Sequence, residues 1–114
     1  MNKVILIGRL TKDIELHQTT SGTNVCTVSL AVDRRYKKEG EQTADFINIV
    51  AYGNTAEFMS KHFSKGSRIG IFGRLNTRKY EDKDGKTVYV TEVIADETYF
   101  CDGKLDKNTP FDNA

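Results

Sequence analysis

Strict alternation constrains this chain more than any other feature. Across Asn24–Arg34, Cys26, Val28, Leu30 and Val32 fall on one face, and Thr27, Ser29, Ala31 and Asp33 on the other. A period of two belongs to a strand with one buried side. Four further runs have the same character. Lys3–Leu10 is β-branched and apolar, and Asp45–Tyr52 alternates. Arg68–Arg78 collects Ile69, Ile71, Gly73 and Leu75 on one side. Thr87–Asp96 follows Asp84-Gly85, a hairpin-turn pair. A single segment has helical spacing instead: Ala56, Met59 and Phe63 recur on one side. Asn54 is placed to cap it, with Glu57 three residues on, and Gly66 to end it.

The order is therefore strand, strand, strand, helix, strand, strand. That order predicts an all-β protein, a five-stranded OB-fold barrel with one helix between strands 3 and 4. A three-layer α/β sheet needs far more helix. Gly8 in Ile7-Gly8-Arg9-Leu10 and Gly73 in Phe72-Gly73-Arg74-Leu75 interrupt two of the strands. Interior glycines of this kind mark bulges or barrel corners. With 114 residues the chain has room for one core. The expected division is a barrel domain over 1–100 and a short tail over 101–114. That tail, polar and carrying the sole proline, is expected to be mostly disordered.

Composition narrows function by exclusion. Seventeen Lys and Arg against sixteen Asp and Glu leave a net charge of +1, so positive charge for a polyanion has to be local. No apolar run approaches a membrane span, and Val4–Ile7 is too short for a signal-peptide core. Cys26 and Cys101 lack metal or redox spacing and read as reduced thiols of a cytoplasmic protein. His17 falls in a polar loop and His62 on the helix. Neither belongs to a zinc motif, and there is no phosphate-binding GxxxxGK loop. Glu81-Asp82-Lys83-Asp84-Gly85 resembles the start of a calcium loop, but the twelfth position from Asp82 is Val93 instead of a bidentate glutamate. A solvated turn explains it better. The expectation is no enzyme, no cofactor and no metal.

The third strand is the informative one. Ile47, Ile49 and Ala51 form an aliphatic face, whereas Phe46, Asn48, Val50 and Tyr52 form the opposite face. At ~3.3 Å per residue the two rings lie about 20 Å apart along the strand, the reach of several extended nucleotides. Two more rings sit among cations, in Arg34-Arg35-Tyr36-Lys37-Lys38 and Arg78-Lys79-Tyr80, the second with Lys83 and Lys86 nearby. Such a ring stacks a base while its neighbours hold phosphates. Other roles stay open: Phe46 and Tyr52 covering a subunit interface, Tyr36 and Tyr80 folding over a barrel mouth, and the cations as solvated loop charge. Phe58 and Phe63 read as helix packing, and Phe72 as core or interface.

At these residues the chain resembles bacterial single-stranded DNA-binding proteins. The likeness covers about residues 1–100. It rests on Asn2-Lys3-Val4-Ile5-Leu6-Ile7-Gly8, Lys65-Gly66-Ser67 before Ile69 and Ile71, Gly73-Arg74-Leu75-Asn76-Thr77-Arg78-Lys79-Tyr80, and Thr91-Glu92-Val93-Ile94. The resemblance implies an OB-fold homotetramer (or dimer) wrapped by single-stranded DNA and acting in replication, recombination or repair in the cytoplasm, at the nucleoid. It also implies base stacking at Tyr36, Phe46, Tyr52 and Tyr80. The residues expected at phosphate and polar contacts are Lys3, Arg9, Arg34, Arg35, Lys37, Asn48, Lys65, Arg74, Arg78 and Lys79. Stacking contributes ~1–3 kcal/mol per base, a range measured partly on proteins of this kind. The family often has tryptophan at these positions, and this chain has none. Family tails commonly end in an acidic Pro-Phe tip that recruits replication and repair enzymes. Here three residues follow Pro110-Phe111 and Lys107 dilutes the acidity, so recruitment is expected to be weak or absent. The alternative reading is an OB-fold protein-interaction or replication-restart adaptor module.

Overall fold

The computed structural model describes residues 1–36 and 38–102. Lys37 and the expected tail from 103 onward, with Pro110-Phe111, lie outside the described residues. In chain order the elements are β1 (Val4–Leu10), β2 (His17–Gln18), β3 (Asn24–Asp33), β4 (Ala44–Tyr52), α1 (Gly53–His62), β5 (Arg68–Glu81) and β6 (Thr87–Phe100). Five of the strands close on themselves in the order β1–β5–β6–β4–β3, with β3 returning to β1 at Arg9↔Ala31 and Leu10↔Leu30. The β4–β6 pairing is parallel and the other pairings of the ring are antiparallel. A closed five-stranded ring with its helix between the third and fourth ring strands is the OB-fold that the element order predicts. The two-residue β2 is an appendage on β3. It takes in His17, which the sequence places in a loop; the residue stays exposed and lies 3.6 Å from Glu15.

Alternation builds the core. Cys26, Val28 and Leu30 of β3, Ile49 and Ala51 of β4, Ile69 and Ile71 of β5, and Val93 and Ala95 of β6 are all buried inside the ring. Ala56, Met59 and Phe63 close one end of it, as their helical spacing anticipates. The predicted caps differ. The helix starts two residues early, because Gly53 at φ +61° turns the chain straight out of β4. Tyr52 is the N-cap residue and contributes no side-chain cap, so Asn54 lies within the first turn. The helix ends at His62 with Phe63 as its C-cap, whose N–H reaches the Met59 carbonyl at 3.0 Å, and Gly66 serves the next turn at φ +87°.

Both interior glycines sit at crowded points. A Cβ on Gly8 would lie 2.5 Å from the Ala31 carbonyl oxygen, and one on Gly73 would lie 2.0 Å from that of Ile94. At Gly73 the β5–β6 register shifts: Phe72 pairs with Glu97 but Gly73 pairs with Ala95, and Asp96 is the extra, bulged residue. The bulge resets the alternation, and β6 runs on to Phe100 instead of ending near Asp96. Phe100 then stacks on Phe63 at 4.9 Å, and Phe58 meets Phe100 edge-on at 5.7 Å. Phe58 remains partly exposed, short of the full packing expected of it. Leu75, predicted on the buried side, is 50% exposed, in the stretch of β5 beyond its pairing with β1, which ends at Val4↔Gly73.

Candidate nucleic-acid interface

The outer face of the ring is assembled by register. Ser29 lies opposite Asn48 and Thr27 opposite Val50, while Val50 also pairs with Ile94, which pairs with Arg74. Side chains in register share a face. Phe46, Asn48 and Tyr52 of β4 therefore share one surface with Glu92 and Ile94 of β6 and with Arg74, Asn76, Arg78 and Tyr80 of β5. Beyond the barrel, β5 and β6 continue as a hairpin closed at Glu81↔Thr87. Gly85 at φ +75° makes the turn, and the Asp82 carboxylate accepts from the Asp84 and Lys86 N–H groups. This accounts for the acidic cluster as a turn. Among the described residues no group of three or more His, Cys, Asp and Glu converges as a metal site.

The four predicted rings are exposed: Tyr36 by 81%, Phe46 by 60%, Tyr80 by 49% and Tyr52 by 45%. Phe46 and Tyr52 project from β4, Tyr80 from the hairpin, and Tyr36 from the β3–β4 loop. The Arg35 guanidinium lies 5.8 Å from the Tyr36 ring centre, and that of Arg78 lies 6.0 Å from Tyr80. Between the two rings on the same strand face, Asn48 is exposed and Val50 is buried.

The predicted cations divide into separate groups. Arg34 and Arg35 belong to the β3–β4 loop, Arg74, Arg78 and Lys79 to β5, and Asn48 to β4. Arg34 binds Asp45 at 3.0 Å, Arg78 binds Glu92 at 3.2 Å, and Arg74 pairs with Asp96. Lys79 stands opposite Tyr89, on the reverse side of the hairpin from Tyr80. Arg9 and Lys65 lie at the other end of β5. There Arg9 donates to the Gly66 carbonyl at 2.9 Å, and the Lys65 N–H meets Asp13 at 2.7 Å. Ten residues of strand separate Arg68 from Arg78, roughly 30 Å. Lys3 sits over the Phe72 ring at 5.2 Å, beside the exposed Ile5 of β1. Pairing with carboxylates is the feature that the sequence reading missed. The partners are distant in the chain, and only the register reveals them.

Three of the rings, Phe46, Tyr52 and Tyr80, share the outer face, and Tyr36 and Tyr80 each have a guanidinium nearby, which suits a flexible polyanion with unpaired bases. The Single-strand binding protein family matches residues 1–101. The chain belongs to that family. Single-stranded DNA-binding protein 2 of Clostridium acetobutylicum is 54% identical over 109 residues, covering 95% of this chain and 82% of that relative. The single-stranded DNA-binding protein of Clostridium tetani is 56% identical over 103 residues, covering 90% and 71%. Single-stranded DNA-binding protein 1 of Staphylococcus aureus is 50% identical over 113 residues, covering 98% and 72%. Family membership thus spans the whole barrel, and the OB-fold read from element order is the family's own.

Proposed function

We propose that this protein binds single-stranded DNA without regard to sequence and without catalysis, protecting it during replication, recombination or repair. Membership of the single-strand binding family supports the ligand. The observation that carries the mechanism is the set of rings at Tyr36, Phe46, Tyr52 and Tyr80, all solvent-facing and two with a guanidinium about 6 Å away. Every base has a ring face, so stacking on these residues is indifferent to base identity. Lys3, Arg9, Arg34, Arg35, Lys37, Lys65, Arg74, Arg78 and Lys79 neutralise phosphates, and Asn48 adds a polar contact.

The acting form is a homotetramer in the cytoplasm. Ile5 (71% exposed) and Ile7 (49%) support self-association, since they project from β1 as exposed aliphatic side chains, Ile5 opposite Phe72. Contiguous exposed apolar side chains of this kind mark contact surfaces. Among the described residues no helix is long and apolar enough to cross a membrane. A gel shift comparing oligo-dT with duplex of equal length tests the reading. Preference for oligo-dT is expected, with affinity falling as salt rises. Absence of binding to either probe would favour the protein-interaction adaptor, and degradation of the probe would contradict a non-enzymatic role.

A further inference from the structure

One residue on the outer face is out of place. Glu92 is 4% exposed, the one buried polar or charged side chain among the described residues. It does not face the barrel interior, because its neighbour Val93 does. Instead it lies on the proposed DNA surface directly across from Asn76. Both carboxylate oxygens are occupied: Asn76 Nδ2 donates to Oε2 at 3.2 Å and Arg78 Nε donates to Oε1 at 3.2 Å. Arg78 itself is 53% exposed, with its guanidinium over Tyr80.

Stability does not explain this arrangement. Withdrawing a carboxylate from water is costly, and pairing it with a half-exposed arginine returns little. A negative charge beneath a phosphate-binding surface also opposes the ligand. What the contact supplies is direction. Arginine is a planar fork that can engage one partner at Nε and another at its terminal nitrogens. Nε is turned inward to Glu92, and among the described residues no acceptor meets the two Nη groups.

We propose that Glu92 is a positioning residue for single-stranded DNA. It fixes Arg78 so that the outer edge of the guanidinium meets a phosphate while the adjoining base stacks on Tyr80. Asn76 occupies the second carboxylate oxygen and keeps Glu92 from turning away. This rests on the binding function proposed above. Lysine at 78 would keep the charge but lose the fork, and a neutral amide at 92 would keep the shape but lose the charged hold.

The test is an oligo-dT titration across a salt series with wild type, Glu92→Gln, Arg78→Lys, Arg78→Ala and the Arg78→Ala/Glu92→Gln double variant. Glu92→Gln is expected to weaken binding roughly 2–12-fold, the worth of one hydrogen bond at a solvated site. Its log–log salt slope should become shallower by about 0.7, the share of one phosphate contact on a single strand. In the Arg78→Ala background Glu92→Gln should change neither quantity. Arg78→Lys should keep the slope and still lose affinity. Tighter binding by Glu92→Gln, or an equal loss with and without Arg78, overturns the proposal. So does wild-type affinity in Arg78→Lys, a surface variant that decides the matter even if Glu92→Gln does not fold. A wild type that ignores oligo-dT would strike the function itself, not this role of Glu92.

Discussion

At the scale of single residues, the proposed interface relies on side chains that the fold does not need. Phe46 and Tyr80 are half exposed or more, so replacing either with alanine removes little packing. Phe46→Ala and Tyr80→Ala are each expected to weaken oligo-dT binding by about 1–3 kcal/mol, roughly 5- to 150-fold. Thermal melting should stay within a few degrees of wild type, and a collapsed melting curve would mean the rings are structural. Cys26 behaves in the opposite way. Burial pushes its thiol above the ordinary value near 9.0, outweighing the backbone hydrogen bond from Ala51. The unfolded thiol therefore ionises first, and stability falls as pH rises past about 9. Melting temperature measured from pH 8 to 10.5 should drop, and the drop should be shallower in Cys26→Ala despite that variant's lower starting point. The rings were legible because an aromatic among cations or on the polar side of an alternating strand is locally anomalous. Glu92 was not, because in sequence it is one more glutamate, and its burial depends on Asn76 and Arg78 reaching it from β5.

At the scale of elements, the bulge between Phe72 and Gly73 is the decisive device. It lets the long strands β5 and β6 turn from barrel wall into protruding hairpin, and so carries Tyr80 beyond the barrel. Gly73 is required there, since any Cβ would collide with the Ile94 backbone at 2.0 Å. Gly73→Ala is expected to cost more than the ~1–3 kcal/mol of ordinary overpacking, because a carbonyl cannot step aside as a side chain does. Urea denaturation should show a large loss, and a wild-type midpoint would mean that the bulge is soft. Period-two patterning identified all five ring strands, but it lost the end of β6. The extra residue Asp96 shifts the phase, so Phe100 no longer matches the pattern that Val93 and Ala95 begin. The helix start was misjudged for a related reason. Asn54 has the chemistry of a cap, but Gly53 supplies a sharper turn that bare capping preferences do not anticipate.

At the scale of the whole molecule, near-neutral charge and a polyanionic ligand are reconciled by distribution. Arg74 and Arg78 stand on the proposed DNA side, each already paired with a carboxylate, and Arg34 in the β3–β4 loop is paired with Asp45. Phosphates then compete with Asp96 for the guanidinium of Arg74 and with Asp45 for that of Arg34. The salt dependence of binding is consequently expected to be shallower than a count of the basic residues suggests, with stacking carrying more of the affinity. On the β1–β5 part of the barrel's outer face, Ile5, Ile7 and Phe72 present apolar side chains. Native mass spectrometry is expected to find tetramers, and Ile5→Lys with Ile7→Lys should shift them to smaller species. Unchanged tetramers would place the contact elsewhere.

The central claim is that unpaired bases stack on Tyr36, Phe46, Tyr52 and Tyr80. Photo-cross-linking with oligo-dT carrying 5-iododeoxyuridine, followed by peptide mapping, tests it most directly. Cross-links confined to those four rings are the predicted result. Cross-links concentrated on Phe72 or Tyr99, with none at the four, would contradict the account.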